Sequence, residues 1–305
     1  MAADNKPAAE HTVDTELVRG LLADQHPELA ALPLRKIASG WDNVIYRLGD
    51  AHCVRLPRRQ LGADLVVHEQ TWLPRLAASL PLPVPTPLRM GAPGRGYPWR
   101  WSICPWFPGE PAAAAPPRDP LAAANKLGAF VTALHRPAPE NAPTNRWRSC
   151  TLQARNALHE ERVARLGGAI DAPAVAALWA LCLALPEWSG SPVWLHGDLH
   201  PANLLVHEGA LSAVIDFGDI TSGDPATDLA VGWMLFDADA RQHFRAAVEN
   251  ADDATWGRAR GWALQMALAL LAGSVDEPLL HRVGQTTLHA VLADVGAGAS
   301  PVALT

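Results

Sequence analysis

The stretch that decides the fold is WLHGDLHPANLLV, residues Trp194–Val206. Its middle holds four polar side chains within eight residues: His196, Asp198, His200 and Asn203. Gly197 and Pro201 interrupt this middle, and apolar runs flank it on both sides. Gly and Pro at these positions would interrupt a regular helix and an ordinary buried strand alike. The pattern therefore predicts a polar loop that leads into a strand.

The interval between Asp198 and Asn203 indicates the chemistry of this loop. A carboxylate and a carboxamide five residues apart can face one cavity, where the first accepts a proton and the second binds a hard cation. The next strand, VIDFGD, carries Asp216 at its end, which is well placed as a second Mg²⁺ ligand beside Asn203. A base for an acceptor hydroxyl and two metal ligands are the parts of a phosphoryl-transfer site.

Two other interpretations of the loop stay open. A metal-dependent hydrolase would use a cluster of imidazole and carboxylate ligands, namely His196, Asp198, His200 and Asp216. A kinase-shaped binding protein without turnover would keep the loop and carry a defect in its nucleotide site. Asn203 argues against the hydrolase, which has no need of it. Turnover that requires ATP or GTP together with Mg²⁺ would separate the three.

The composition limits the partners. The chain of 305 residues is 49% hydrophobic and 18% charged, with a net charge of −6. Residues 217–305 hold 11 acids against 5 arginines, so the chain lacks the basic face that nucleic-acid binding needs. The polar, acidic first residues do not resemble a signal peptide, and the apolar segment 262–272 is too short to span a bilayer. We expect a cytoplasmic protein, monomeric or homodimeric, that binds neither nucleic acid nor membrane.

The order of predicted elements gives an α+β fold with two lobes. Residues 1–15 are predicted to be a disordered tail, and 16–105 a strand-rich lobe with a helix over 63–78. Residues 106–120, rich in Pro and Ala, are predicted to be a hinge or connector. Residues 121–305 are predicted to be mainly helical, with helices that include 151–166 and 225–236. The polar loop and its hairpin interrupt these helices.

The loop HGDLHPANLL, with VIDFGD and GDPATDLA after it, resembles the aminoglycoside phosphotransferase family of bacterial small-molecule kinases. Upstream, SGWDNVIYRLGDAHCVRLPRR resembles the members that include macrolide kinases. The resemblance extends over roughly residues 35–295. It implies a two-lobed protein-kinase-like fold, with the strand-rich lobe binding the nucleotide and the helical lobe carrying the catalytic and acceptor groups.

The resemblance also implies roles for single residues. Asp198 would be the catalytic base, and Asn203 and Asp216 the magnesium ligands. Arg55 stands where the family usually has a lysine that binds phosphate, and Glu69 would orient it. The predicted contacts with ATP or GTP are the loop residues Ser39, Gly40 and Asn43, and the hinge residues Ile103, Pro105 and Trp106. Arg58 and Arg59 are predicted to be solvated charges.

The acceptor is predicted to be a hydroxyl of a small molecule, such as a macrolide-, nucleoside- or aminoglycoside-type antibiotic. The candidate contacts with it are His200, Asp219, Trp233, Trp256 and Trp262. The acidic C-terminal region would attract a polyamine, but several of its acids lie at predicted helix starts, where carboxylates are expected without any ligand. We therefore expect a neutral or weakly cationic acceptor, bound partly by the tryptophans, with either antibiotic resistance or metabolism as its role.

Overall fold

The N-terminal lobe is built on a five-stranded antiparallel sheet. In this computed structural model, which describes residues 7–297, the strand order is β1-β2-β3-β5-β4. The strands are β1 (Leu34–Ser39), β2 (Asn43–Leu48), β3 (His52–Pro57), β4 (Arg89–Gly91) and β5 (Trp101–Pro105). Alternate residues of β2 are buried, as expected for a strand that covers a core with one face. The central strand β3 is buried from Cys53 to Pro57 and carries Arg55.

Two helices pack against this sheet. Helix α1 (Thr15–Gln25) is capped by Asp14, whose carboxylate accepts a hydrogen bond from Leu17 N at 2.8 Å. Helix α2 (Gln60–Ala77) starts three residues before the predicted 63 and brings Glu69 under the sheet. Its last turns belong to the core of the C-terminal lobe through Trp72, Leu73 and Leu76. Helix α2 therefore joins the two lobes.

Helices form most of the C-terminal lobe. They are α3 (Pro120–Leu134), α4 (Asn156–Leu166), α5 (Ala172–Leu183), α6 (Ala226–Leu229), α7 (Val231–Leu235), α8 (Ala238–Ala247), α9 (Asp253–Gly273) and α10 (Pro278–Ala297). The predicted helix over 151–166 begins only at Asn156, after a 3-10 turn at Gln153–Arg155. The predicted helix over 225–236 consists of α6 and α7, because Trp233 N bonds Ala230 O in a tighter turn.

Two small sheets hold the polar loop. Strands β7 (Val193–Leu195) and β10 (Thr221–Gly223) pair at its start. The hairpin of β8 (Leu204–His207) and β9 (Ala210–Val214) follows its end, and β6 (Glu110–Pro111) from the predicted connector pairs with β8. The loop is thus fixed at both ends by antiparallel strands. Over residues 7–297 no helix combines the length and the apolar character that crossing a membrane requires.

Candidate active site

Asp228, fully buried on α6, fixes the first residues of the polar loop. Its carboxylate accepts hydrogen bonds from His196 N at 2.7 Å and from Gly197 N at 2.9 Å. His135 Nε2 lies 3.2 Å from the same carboxylate. A buried carboxylate with three polar partners is well satisfied, so it holds the loop without being available to a ligand.

His196 is committed to the backbone of the loop. Its Nδ1 accepts a hydrogen bond from Asp198 N at 3.2 Å, so the proton of the neutral ring lies on Nε2, which donates to Ile215 O at 2.9 Å. Neither nitrogen is free to bind a metal. Among the described residues, no three His, Cys, Asp or Glu side chains are grouped so that they could hold a metal ion. The cluster that the hydrolase interpretation requires is therefore not assembled.

Gly197 makes the turn between these groups possible. Its φ is +84°, and a Cβ at this position would lie 2.3 Å from Asp219 O. We expect Gly197→Ala to lower the free energy of unfolding by about 1–3 kcal/mol, because the substitution adds both backbone strain and a clash with backbone. Urea unfolding measures this. Gly168→Ala is the matched control, since its Cβ would meet nothing within 4 Å. Equal stability of the two variants would contradict the strained turn.

Asp198 lies between two donors. Its Oδ1 accepts from Arg148 Nη2 at 2.5 Å, and its Oδ2 lies 3.3 Å from His200 Nε2. His200 Nδ1 accepts from Ala202 N, which leaves the ring proton on Nε2 and directs it at Asp198. Burial would raise the pKa of Asp198, but Arg148 and His200 more than offset this and hold the pKa well below its usual range. The carboxylate is therefore ionised at neutral pH.

Asn203 and Asp216 supply two hard oxygen donors beside Asp198. Asn203 Nδ2 donates to Asp198 O at 2.9 Å, and Ile215 N donates to Asn203 O at 2.9 Å, which places Asn203 next to the end of β9. Asp216 adopts a left-handed conformation with φ 62° and ψ 65°, which Asp tolerates, and its side chain is 55% exposed. An amide oxygen and an exposed carboxylate fit Mg²⁺, which also keeps several waters.

A buried ion pair connects this region with the N-terminal lobe. Arg55 Nη1 lies 2.8 Å from Glu69 Oε1, and Arg55 Nη2 lies 3.1 Å from Asp216 Oδ1. Burial would lower the pKa of Arg55, but Glu69 and Asp216 more than offset it and raise the pKa. Burial raises the pKa of Glu69, against the opposing effect of Arg55. The guanidinium therefore stays charged and joins β3, α2 and the turn after β9.

The loop between β1 and β2 is held by the two arginines that were expected to be solvated. Gly40 N donates to Asn43 O at 2.8 Å and closes the turn after Ser39. Arg58 Nη1 donates to Gly40 O at 2.8 Å, and Arg59 Nε donates to Asp42 at 2.7 Å. The expectation for Arg58 and Arg59 was wrong, because the end of β3 places both guanidinium groups against this loop.

The hinge residues that were predicted to contact the nucleotide are partly engaged in contacts within the protein. Ile103 is fully buried in the core of the N-terminal lobe. Pro105 has no N–H, and Trp106 N donates to Ala51 O at 2.8 Å while Arg47 stacks 4.2 Å from the centroid of its ring. The amides of Pro105 and Trp106 therefore offer no donor to a purine in this conformation.

The three tryptophans considered for the acceptor lie in the hydrophobic core. Trp233, Trp256 and Trp262 are only 5%, 4% and 2% exposed, and the first two pack against each other at 6.2 Å between centroids. Helix α9 is buried around most of its circumference, so its tryptophans face neighbouring helices. The structure does not place these rings beside Asp198. It does bring His200 and Asp219 there.

Arg148 is the residue that sequence reasoning missed. It lies in the irregular segment before α4, and its guanidinium bridges Asp198 and Asp219, the latter at 3.2 Å. Asn145 Nδ2 also donates to Asp219 at 2.7 Å. The site thus has a cation next to the carboxylate that was expected to be the base. Nothing in the local pattern around Arg148 signals this position, because the contact spans 50 residues of chain.

Comparisons with solved structures show the fold. The GDP complex of wild-type aminoglycoside 2'-phosphotransferase-IIIa superimposes with a TM-score of 0.71 at 18% identity, covering 93% of this chain and 100% of that one. Macrolide 2'-phosphotransferase MphH from Brachybacterium faecium gives a TM-score of 0.60 at 23% identity, covering 90% and 98%. These similarities confirm the predicted two-lobed, kinase-like α+β fold.

The family itself is shown by the sequence. A search of curated proteins found no match. The sequence model described as the phosphotransferase enzyme family matches residues 33–262. This range includes Arg55, Glu69, the polar loop and Asp216. The match covers most of the 305 residues, and the chain therefore belongs to the phosphotransferase enzyme family.

Proposed function

We propose that this phosphotransferase moves the γ-phosphoryl group of ATP or GTP to a hydroxyl of a small natural product, with Asp198 as the base. The observation that carries the proposal is the link between lobes: Arg55 of β3 lies 3.1 Å from Asp216, which follows β9 beside Asn203 and Asp198. One continuous set of contacts thus connects a cation for phosphates with a carboxylate for the acceptor. The nucleotide in the solved GDP complex supports a nucleotide substrate.

In the proposed mechanism each residue acts through position and charge. Asp198, kept ionised by its neighbours, accepts a hydrogen bond from the acceptor hydroxyl and orients its oxygen in line with the γ-phosphorus. Arg55, held by Glu69, offsets charge on the phosphates that are not transferred. His200 donates to Asp198 and keeps the carboxylate in one orientation. As the phosphoryl group transfers, Asp198 takes the hydroxyl proton.

Asn203 and Asp216 would hold Mg²⁺, which neutralises phosphate charge when it is bound. The fit rests on their donor atoms. The Asn203 amide nitrogen is committed to Asp198 O, which leaves its oxygen for the metal, and the Asp216 carboxylate is exposed at the turn. Arg55 shares the Asp216 carboxylate and so keeps it in place. The glycine-containing loop with Ser39, Gly40 and Asn43 would cover the phosphates through N–H groups other than that of Gly40, which donates to Asn43 O.

The charges of the C-terminal lobe favour an acceptor without high positive charge. Its acids are mostly engaged within the protein. Asp224 bonds Arg258 at 2.6 Å, Asp237 and Asp252 cap α8 and α9, and Asp294 bonds Arg241. Because these carboxylates are neutralised or serve as caps, little of the net charge remains to bind a polyamine. The solved neighbours act on aminoglycosides and on macrolides, and this distribution favours the second kind.

A comparison of acceptor classes tests this choice. We expect a higher kcat/KM for neutral or weakly cationic hydroxylated antibiotics, such as macrolides, than for kanamycin-type aminoglycosides, with little dependence on salt. The reason is that exposed, unpaired acids are what steer a polycation, and such steering is screened as ionic strength rises. Turnover of kanamycin that falls steeply with salt, with no turnover of neutral acceptors, would contradict the choice.

A further inference from the structure

Four arginines lie in the segment 146–162, and one of them contacts the loop that carries Asp198. Arg148 contacts Asp198, and its Nη1 lies 3.2 Å from Met266 Sδ on α9. One residue earlier on α9, Gln265 accepts from Arg162 Nη1 at 3.3 Å through its backbone and side-chain oxygens. The cluster is completed by Arg146 and Arg155. We call this set the arginine cluster: Arg146, Arg148, Arg155 and Arg162.

Trp147 lies within the arginine cluster. Its ring centroid is 4.6 Å from the guanidinium carbon of Arg146 and 5.5 Å from that of Arg155. The ring is 48% exposed, unlike the core tryptophans of the same lobe. Trp147, which precedes Arg148 in the sequence, therefore provides a flat, exposed apolar surface within the arginine cluster.

Among the described residues, Arg155 is the most buried of the three cluster members that lack an ion-pair partner, and the other two are Arg146 and Arg162. It is only 7% exposed, and its Nε is buried with no hydrogen-bond partner among the described residues. No carboxylate of the described chain lies within 4.0 Å of its guanidinium. Glu160, the nearby acid of α4, bonds Asn156. Burying a guanidinium without a counter-charge is costly, which indicates that the counter-charge comes from outside the chain.

The charges of the cluster act on one another. Burial and Arg148 lower the pKa of Arg155, although the Cys150 thiol opposes them. Burial, Arg155 and Arg148 lower the pKa of Arg162 to about 10. Arg148 is balanced by Asp198 and Asp219, and Arg146 is exposed to solvent, so the uncompensated positive charge inside the protein belongs to Arg155 and Arg162. An anion placed between them would relieve this repulsion.

We propose that the acceptor carries an anionic group, a carboxylate or a phosphate, which Arg155 and Arg162 bind while its hydroxyl reaches Asp198. This inference rests on the proposed function. It agrees with it in disfavouring a polycation, and it departs from the neutral or weakly cationic acceptor expected there by adding a negative group. Arg148 is the member of the cluster that contacts the proposed base. A protonated amine at this position would meet three guanidinium groups and is disfavoured.

Four sugars of similar size test the proposal. Glucuronate carries a carboxylate, glucose 6-phosphate a phosphate, glucosamine an ammonium group, and glucose no charge. Their binding is measured by ligand-observed NMR at low salt, with Mg²⁺ and a non-hydrolysable ATP analogue present so that anions do not enter the nucleotide site. We expect at least one anionic sugar to bind about tenfold or more tightly than glucose, as for a charge-assisted contact. Glucosamine should bind no more tightly than glucose.

Substitutions of Arg155 and Arg162 test whether the arginine cluster causes the preference for anionic sugars. Arg155→Gln with Arg162→Gln should abolish the preference for anions, whereas Arg155→Lys with Arg162→Lys should keep much of it. Arg165→Gln, an exposed arginine of the same helix, is the matched control and should leave the preference unchanged. Because Arg155 lacks a carboxylate partner, Arg155→Gln should leave the thermal midpoint unchanged or raise it. A large fall in the midpoint would show a structural role and contradict the proposal.

Two outcomes would overturn the anion site. One is equal or undetectable binding of all four sugars, and the other is an anion preference that survives in the double Gln variant. Binding of the Mg²⁺–nucleotide complex to the unaltered protein is measured separately by tryptophan fluorescence. Its absence would contradict the proposed function itself, so the two failures are distinguishable. The comparison of glucuronate with glucose 6-phosphate decides between a carboxylate and a phosphate.

Discussion

Replacing Asp198 with Asn is expected to lower kcat by about 10²–10⁴-fold, the usual contribution of a general base. The carboxamide keeps the size of the side chain but cannot take the hydroxyl proton. It also loses the charge that pairs with Arg148, which then has only Asp219. Nucleotide affinity should change little, because Asp198 acts on the acceptor side. Steady-state kinetics with a turned-over acceptor, together with nucleotide titration, measures both quantities.

Asp239→Asn is the matched control for this substitution. Asp239 is exposed in the first turn of α8 and is distant in sequence from the polar loop. We expect its kcat to equal that of the unaltered enzyme. If kcat is near normal in Asp198→Asn as well as in Asp239→Asn, Asp198 does not act as the base.

Replacing Arg55 with Ala is expected to affect both nucleotide binding and stability. The loss of a charge-assisted phosphate contact should weaken triphosphate binding by about 1–3 kcal/mol. The substitution also leaves Glu69 buried, at 2% exposure, without its cation. Breaking a buried pair in this way costs about 3–5 kcal/mol of stability. Nucleotide titration and urea unfolding check the two effects independently.

Further variants separate the two roles of Arg55. Arg55→Ala combined with Glu69→Gln removes the unpaired charge, so it should recover stability without recovering nucleotide affinity. Arg55→Lys should recover part of the affinity, since a lysine keeps the charge but not the forked geometry. Unchanged affinity and turnover in Arg55→Ala would mean that another cation binds the phosphates. Lys36, exposed on β1, is the candidate for that role.

The parts of the site that sequence could predict are those joined by short stretches of chain. Asp198 and Asn203 precede one hairpin and Asp216 follows it, so the strand pairing that brings them together is local. The capping of α1 by Asp14 and of α3 by Asp119 depends on similarly local signals. These features depend on neighbours in sequence, so the pattern of residues is sufficient.

The parts that sequence could not predict depend on distant contacts. Arg148 reaches Asp198 from an irregular segment 50 residues earlier, and no periodicity marks it. The sequence suggests that Arg58 and Arg59 are surface charges, but both donate hydrogen bonds to the loop between β1 and β2. The apolar character of Trp256 and Trp262 fits a pocket or a core equally well. Only the packing of α9 among its neighbours decides for the core.

Mass spectrometry of a hydroxylated natural-product library tests directly whether the enzyme transfers a phosphoryl group through Asp198. The library is incubated with the enzyme, Mg²⁺ and ATP or GTP, with Asp198→Asn as the parallel sample. We expect the unaltered enzyme to form a phosphate monoester of at least one compound together with an equal amount of nucleoside diphosphate, and the variant to form almost none. Nucleoside diphosphate release without any phosphorylated compound, or equal product in both samples, would contradict phosphoryl transfer through Asp198.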